Sequence, residues 1–244
     1  MVRGLSSFRN WFKGFEKYYV FIGGTACDLL MKQAGKEFRS THDLDMVLLI
    51  EFVDAVFVSH FWRFIKIAGY KHCHKSTGLS EFYRFYSPDS SAYPAMIELF
   101  SRPKEIVNLS NRSVLMPLAI SEDVSDLSAI ILNDEYYEFL KTGIKIVDEI
   151  PVLAITHLLP FKAKALLDLL DRKQRGESID TKVINKHRKD IIKLSTLLTP
   201  DDKLTLVGVI KTDMQLFLAR IEIDMVASSR LESIYNLSEI VDSD

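Results

Sequence analysis

The sequence has few cysteines, few helix-breaking residues and no long apolar run. Its 244 residues include only 2 cysteines, 7 prolines and 10 glycines. Neither Cys27 nor Cys73 belongs to a Cys-x-x-Cys pair, so no disulfide framework is indicated, and such sparse cysteine suits a reducing compartment. His72 and His74 flank Cys73, but no second ligand cluster with zinc spacing accompanies them.

An excess of one charge sign is also missing, because the formal net charge is −2. This excludes a global basic field of the kind that attracts nucleic acid, whereas a local basic patch would not alter the sum. The N-terminal residues lack the continuous apolar stretch of a signal peptide, since charged residues interrupt it at Arg9, Lys13, Glu16 and Lys17. No apolar run approaches the length of a membrane span, and we expect a soluble, cytoplasmic protein.

The rest of the composition is that of a globular protein, with 48% apolar and 26% charged residues. Up to about residue 148, short runs of β-formers alternate with segments of helical periodicity, which predicts a mixed α/β domain. Helical periodicity dominates residues 149–244, which predicts a helical domain. No linker rich in proline, glycine or serine separates the two domains, so we expect them to pack around a shared cleft.

Individual elements can be predicted from the spacing of apolar residues and from turn residues. In the first domain we expect helices over 6–17, 25–34 and 52–68, and strands over 18–22, 43–50, 70–74, 80–86, 95–100, 114–118, 127–132 and 144–147. Ser6 or Ser7 is the expected cap of the first helix, and Val56, His60, Phe64 and Ile67 form the expected stripe of the third. In the second domain we expect helices from 152 onward with a break or start at Pro160, over 181–198 and 203–218, and beyond 228.

Three acidic residues of the predicted strands are candidates for a common site. Asp43 and Asp45 are two residues apart, so their side chains point to the same side of the strand. Glu98 is the one charge within a later apolar strand, and it can join the pair if the two strands are neighbours. Carboxylates held together repel one another unless a cation lies between them, and carboxylate oxygens suit Mg²⁺. An Asp-x-Asp pair is also common in solvated turns, so the pattern alone leaves that alternative open.

A glycine pair stands at the junction of the first predicted strand and helix. Gly23 and Gly24 allow a ligand to approach the backbone closely, and Thr25 adds a hydroxyl group. The free N–H groups and the positive dipole end at a helix start attract phosphate. Strand, glycine pair, helix and a second strand with Asp-x-Asp together predict a phosphate cradle beside a metal site.

At these residues the chain resembles the nucleotidyltransferases of the DNA polymerase β superfamily. The superfamily pattern is a helix-opening Gly-Gly or Gly-Ser, an acid–apolar–acid triplet and a third acid on a later strand. Within it the chain is most similar to the AbiEii/AbiGii toxin-like group, whose Arg-x-Ser/Thr-x-Asp-apolar-Asp motif is matched in full by residues 39–45. The resemblance covers about residues 18–198 and implies an α+β nucleotidyltransferase fold, a mixed sheet flanked by helices, followed by a C-terminal helical bundle.

The group also carries a later basic helix and a Lys-Asp segment. Lys162 best fits the lysine of that helix, with Lys164 close enough to confuse the register, and Arg172 follows it. Lys189-Asp190 fits the Lys-Asp segment, although Lys193 stands near the position where the group often has a second acid. These later residues also suit the solvated faces of amphipathic helices, the interpretation we give to Lys173 and Lys182.

The resemblance implies that a nucleoside monophosphate is transferred from an NTP with Mg²⁺ or Mn²⁺. Its implied metal ligands are Asp43, Asp45 and Glu98, of which Glu98 could instead be the general base. The implied nucleotide-binding residues are Gly23, Gly24, Thr25, Arg39, Thr41, Lys162 and Asp190, and Lys162 is also expected to act in catalysis, oriented by Asp190.

The acceptor is left open by the sequence. Members of the group act on RNA, notably on tRNA 3′ ends, as toxins paired with an antitoxin, so RNA and an antitoxin protein are the expected partners. The basic, aromatic segment 70–86 could bind nucleic acid by stacking, or it could be a hairpin with packed aromatic residues. A nucleotidyltransferase for small molecules or proteins, and a non-catalytic nucleotide-binding module, are the alternatives.

Overall fold

The computed structural model describes residues 2–76, 81–101, 130, 133–220, 225–235 and 237. Backbone contacts divide the chain into two compact units, Met1–Leu132 with Ile144–Leu153, and Asn133–Gly143 with Ala154–Asp244. The sequence predicted one domain boundary after residue 148, whereas each of these units consists of two separate stretches of the chain. A hairpin that extends to residue 153 belongs to the first unit because its second strand pairs with the central sheet.

Seven strands of the described residues form one mixed sheet in the first unit, in the order β3-β4-β5-β2-β1-β7-β6. The strands are β1 Tyr19–Phe21, β2 Asp43–Leu48, β3 Lys71–Ser76, β4 Glu81–Tyr86, β5 Met96–Ser101, β6 Ile144–Val147 and β7 Ile150–Leu153. Strand β2 is parallel to β5 and antiparallel to β1, and β1 is parallel to β7. The predicted mixed sheet is confirmed, and β7 is an addition to the predicted strands, since helix was expected from residue 152.

Among the described residues of the first unit, the sheet is accompanied by the helices α1 Leu5–Trp11, α2 Gly23–Gln33 and α3 Ala55–Ile67, and by a 3-10 helix, Glu16–Tyr18. Helix α2 ends where Gly35 takes a φ of 67°, and the Gly35 N–H donates to the Lys32 carbonyl at 2.9 Å. Helix α3 begins after Asp54, whose carboxylate accepts the Phe57 N–H at 2.8 Å. Helices α2 and α3 therefore each have a local end signal, and the Gly35 stop agrees with the sequence prediction.

Two details of these helices differ from the predictions. Helix α1 begins after Gly4 and is only 7 residues long, so Ser6 and Ser7 lie inside it and do not cap it. In α3 the expected stripe is wrong at both ends, because Val56 is 66% and Ile67 is 53% exposed. The buried side of α3 consists of Phe57, Phe61, Phe64 and Ile65, which face an aromatic core formed with Phe8, Phe12, Tyr19 and Phe21.

The second unit is helical, with α4 Asp134–Thr142, α5 Ile155–Gln174, α6 Thr181–Ser195, α7 Gly208–Arg220 and α8 Met225–Tyr235. Pro160 neither breaks nor starts α5, which runs through it. Proline lacks the N–H that would bond the Thr156 carbonyl, and the Tyr235 hydroxyl donates to that carbonyl instead at 2.7 Å. This hydrogen bond ties α8 to α5 and explains why an interior proline is tolerated.

A buried polar group joins three helices of this unit. The Tyr136 hydroxyl of α4 donates to Asp213 Oδ2 of α7 at 3.0 Å, and Lys164 Nζ of α5 lies 3.5 Å from Asp213 Oδ1. Burial and the Asp213 carboxylate raise the pKa of the Tyr136 hydroxyl well above its usual range, so this tyrosine remains a proton donor. Lys164 is thereby engaged in helix packing.

The predicted strand 114–118 lies outside the described residues, as does 127–132 apart from Ile130, which is buried and helical where a strand was predicted. Among the helices that the structure describes, none combines the length and hydrophobicity needed to cross a membrane.

Candidate active site

Three charged side chains form a row across neighbouring strands of the first unit. In the parallel pair β2·β5, Asp45 lies opposite Glu98, and in the antiparallel pair β4·β5, Glu98 lies opposite Arg84. Residues opposite one another on adjacent strands point to the same face of the sheet. The expectation that the strand of Glu98 lies beside that of Asp45 is therefore met, with Arg84 as an additional member.

Asp45 has an unusual electrostatic environment. Burial and the neighbouring Glu98 carboxylate, which hydrogen-bonds it, raise the pKa of Asp45 to about 8, against the opposing effect of the Gly24 N–H. The Gly24 N–H donates to Asp45 Oδ2 at 3.2 Å. Asp45 is therefore mainly protonated at neutral pH, because burial and the neighbouring Glu98 carboxylate disfavour its ionised form.

Arg84 compensates the charge of Glu98. Its Nη2 and Nε atoms lie 2.7 and 2.9 Å from Glu98 Oε1, so both N–H groups donate to one oxygen. From the sequence, Arg84 is only one member of segment 70–86, which predicts either a nucleic-acid surface or a packed hairpin. A single arginine within the aromatic strand Glu81–Tyr86 is the signal that could have pointed to an acidic partner on the next strand.

Arg84→Gln should destabilise the protein, since it leaves the Glu98 carboxylate beside Asp45 without its cation. We expect a loss of roughly 1–2 kcal/mol in the free energy of unfolding at pH 8, measured by urea denaturation without divalent metal. Arg84→Lys retains the positive charge but not the two N–H donors, and its free energy of unfolding should fall less than that of Arg84→Gln. Equal stability of the wild type and Arg84→Gln would show that this ion pair contributes nothing.

Asp43 stands apart from this pair. The register places it opposite Met96, two residues along the strand from Asp45, which corresponds to about 7 Å. Within the described residues, no three side chains of His, Cys, Asp or Glu are arranged closely enough to hold a metal ion. The expected set of three ligands is thus not assembled there, and metal binding stays a prediction. Two carboxylates, Asp45 and Glu98, do fit Mg²⁺, which is often held by one or two carboxylates together with substrate phosphates.

The glycine pair is explained by contacts within the protein. Gly23 has a φ of 60°, and a Cβ there would lie 1.8 Å from Asp45 Oδ2. A Cβ on Gly24 would lie 2.4 Å from Thr41 Oγ1. Both glycines therefore open α2, and they let Asp45 and Thr41 approach the first turn of this helix, where the sequence predicted a phosphate.

Thr25 and Arg39 also have partners within the protein. The Thr25 hydroxyl is fully buried and donates to the Asp43 carbonyl at 2.7 Å, which ties α2 to β2. Arg39 Nη1 donates to the Ser40 carbonyl at 3.4 Å, and the guanidinium lies 5.2 Å from the centre of the Phe38 ring. Arg39 and Thr41 line a cleft of about 390 Å³ together with Lys32 and Lys36. Their roles in nucleotide binding stay predictions.

Lys162 and Asp190 form a buried pair in the second unit. Lys162 Nζ of α5 lies 3.2 Å from Asp190 Oδ2 of α6, and the two residues are 7% and 4% exposed. Asp190 thus does hold Lys162, as expected, whereas a role of this pair in nucleotide binding stays a prediction. Arg172 Nε binds Glu177 at 2.6 Å on the surface, and Lys189 is exposed.

The basic, aromatic segment 70–86 is largely a packed hairpin. Strands β3 and β4 pair in antiparallel register, and Tyr70, Tyr83 and Phe85 are buried. These rings are unavailable for stacking on bases, so the hairpin alternative holds for them. The side chains of residues 72–82, which include His72, Cys73 and His74, lie outside the described part of the structure.

No protein-family model matches the chain, and no curated protein sequence matches it. Among solved structures, it is similar to JHP933 from Helicobacter pylori, with a TM-score of 0.30 and 10% identity over 93% of this chain and 87% of that one. It is also similar to MenT4, a nucleotidyltransferase toxin from Mycobacterium tuberculosis, with a TM-score of 0.26 and 15% identity over 94% of this chain and 77% of that one. Both scores are too low to establish a shared fold, and membership of the AbiEii/AbiGii-like group is not established.

Proposed function

We propose that the chain is a nucleotidyltransferase that moves a nucleoside monophosphate from an NTP to a hydroxyl group of an acceptor. The observation that carries this proposal is the contact between Asp45 and Glu98 on parallel strands, against the N-terminal turn of α2. A protein gains no stability from forcing two carboxylates together. The contact between the two carboxylates is explained if the site binds a cation together with a phosphate group.

The reaction is a substitution at the α-phosphorus of the NTP. The acceptor oxygen bonds to this phosphorus, the bond to the β-phosphate oxygen breaks, pyrophosphate leaves, and the proton of the acceptor hydroxyl passes to water. Asp45 and Glu98 would hold Mg²⁺ or Mn²⁺ once Asp45 has released its proton. When bound, the metal supplies positive charge that stabilises the phosphate oxygens during transfer.

The other residues of the row prepare the two carboxylates. Arg84 occupies one oxygen of Glu98 with two N–H groups, which restricts the orientation of this carboxylate. The Gly24 N–H does the same for Asp45 Oδ2. Asp43, on the same strand as Asp45, adds negative charge along the edge of the site. Arg39, Thr41 and Lys162 are proposed to contact the nucleotide, with Asp190 orienting Lys162.

For the acceptor we propose RNA, with tRNA as the first candidate, and a toxin-like activity that an antitoxin protein restrains. Support comes from the Arg39–Asp45 segment and from its resemblance to toxin-like nucleotidyltransferases.

Incubation with each α-labelled NTP, Mg²⁺ and total RNA tests the proposal. We expect label to appear in RNA with one or more of the NTPs and to be lost when EDTA is added. Parallel reactions with protein extract and with small-molecule extract identify an acceptor of another class. Absence of label from every acceptor class, with all four NTPs and with either metal, would refute the proposed transfer.

A further inference from the structure

Helix α6 carries a stripe of lysines on its exposed side. Lys182, Lys186, Lys189 and Lys193 follow one another at intervals of four, three and four residues, and all are exposed. Residues at these intervals lie on one face of a helix. With a rise of about 1.5 Å per residue, the lysine stripe is about 16 Å long.

Within α6 itself, Thr181–Ser195, no exposed acidic side chain accompanies the lysine stripe, and the exposed Asp180 carboxylate before it caps the helix by accepting the Lys182 N–H. The one acidic residue of this helix is Asp190, which is 4% exposed and paired with Lys162 of α5. The buried pair therefore keeps the carboxylate away from the exposed face. The result is a local concentration of positive charge on a chain whose net charge is −2, and a sum over the whole chain hides it.

We propose that the lysine stripe binds the phosphate backbone of a nucleic acid. Lysine ammonium groups contact phosphates as point charges without reading base sequence, and regularly repeated lysines match a partner with regularly repeated negative charge. A protein partner fits less well, because the cores of protein interfaces are apolar and depleted in lysine. The stripe itself contains no apolar residue, and Val183 beside it is only 39% exposed.

This inference rests on the proposed transfer to RNA, for which the stripe would hold the acceptor. The proposed nucleic-acid surface is therefore α6 in the second unit, and not the aromatic hairpin for which the sequence suggested this role. The inference also changes the interpretation of Lys182, which the sequence analysis assigned to an ordinary solvated face.

Fluorescence anisotropy of the full-length chain with labelled tRNA, single-stranded RNA and duplex DNA tests the stripe without any catalysis. The variant replaces Lys182, Lys186 and Lys189 with glutamine, a good helix former. We expect it to bind roughly 10- to 100-fold more weakly at low salt, and the slope of log K against log salt to fall by about 2–3. Comparing the affinities for tRNA, single-stranded RNA and duplex DNA shows which nucleic acid is preferred.

A matched control replaces Lys13, Lys17 and Lys66, three exposed lysines of the first unit, with glutamine. It removes the same charge and should bind as the wild type does. The proposal is overturned if the wild type binds none of the nucleic acids, if the control loses as much affinity as the stripe variant, or if polyglutamate of equal length is bound as tightly as tRNA.

Failure of the two proposals can be told apart. Binding that depends on the stripe, in a chain that labels no acceptor, would overturn the proposed transfer alone. If label is transferred to an acceptor but nucleic-acid binding does not depend on the lysine stripe, only the proposed binding role of the stripe is overturned. Asp45→Asn provides the reference, because it should bind nucleic acid normally and transfer nothing.

Discussion

Replacing Asp45 with asparagine should abolish nucleotidyl transfer while preserving the fold. Asparagine can still accept the Gly24 N–H and can donate to Glu98, so it imitates the protonated carboxyl group of the metal-free protein. It cannot provide the negative charge that holds a divalent cation. We expect the transfer rate to fall roughly a thousandfold or more, measured with an α-labelled NTP.

The same variant should change how stability depends on pH. The pKa of Asp45 is raised to about 8 in the folded protein, mainly by burial and then by Glu98. The folded state therefore binds more protons than the unfolded state between about pH 4 and 8, and wild-type stability falls as the pH rises through this range. Asp45→Asn lacks this loss, so we expect it to be more stable than the wild type at pH 8.5 by roughly 1–3 kcal/mol, a value discounted for partial exposure.

Urea denaturation in EDTA at pH 5 and at pH 8.5 measures this difference. Asp201→Asn is a suitable control, since it removes an exposed carboxylate in a turn of the second unit and should retain the wild-type pH dependence. Identical pH dependence in Asp45→Asn and the wild type would contradict the raised pKa of Asp45. Transfer at the wild-type rate would remove Asp45 from the proposed site.

Replacing Lys162 with methionine should destabilise the second unit severely. The substitution leaves the Asp190 carboxylate, which is 4% exposed, without the ammonium group 3.2 Å away. Removing one partner of a buried ion pair costs roughly 3–5 kcal/mol, which unfolding in urea, followed by circular dichroism, can measure. The double variant Lys162→Met/Asp190→Leu should regain most of this loss, because it removes both charges.

Lys141→Met is a matched control for this experiment. Lys141 forms an ion pair with Glu138 near the surface of the same unit, and the Glu138 side chain is 65% exposed. Its loss should cost less than about 1 kcal/mol. If Lys162→Met lowers the free energy of unfolding by no more than Lys141→Met does, the buried pair is not a source of stability. Full transfer activity in the folded double variant would contradict the predicted catalytic role of Lys162.

Much of the local structure around the site could be predicted from the sequence. Strand β2, the Gly35 stop of α2 and the loop between them follow from apolar runs and glycine placement. The predictions were weaker where tertiary contacts override a local rule. Pro160 lies inside α5 because a distant hydroxyl, that of Tyr235, bonds the carbonyl that proline leaves without a donor.

The sequence by itself determined which residue types are present and that Asp43 and Asp45 share a face, because side chains alternate along a strand. Only the tertiary structure decided that Glu98 and Arg84 lie in one row with Asp45, while Asp43 lies outside it. It also decided that the glycines accommodate Asp45 and Thr41. Strand order and register depend on contacts between segments far apart in the chain, and local periodicity carries no information about them.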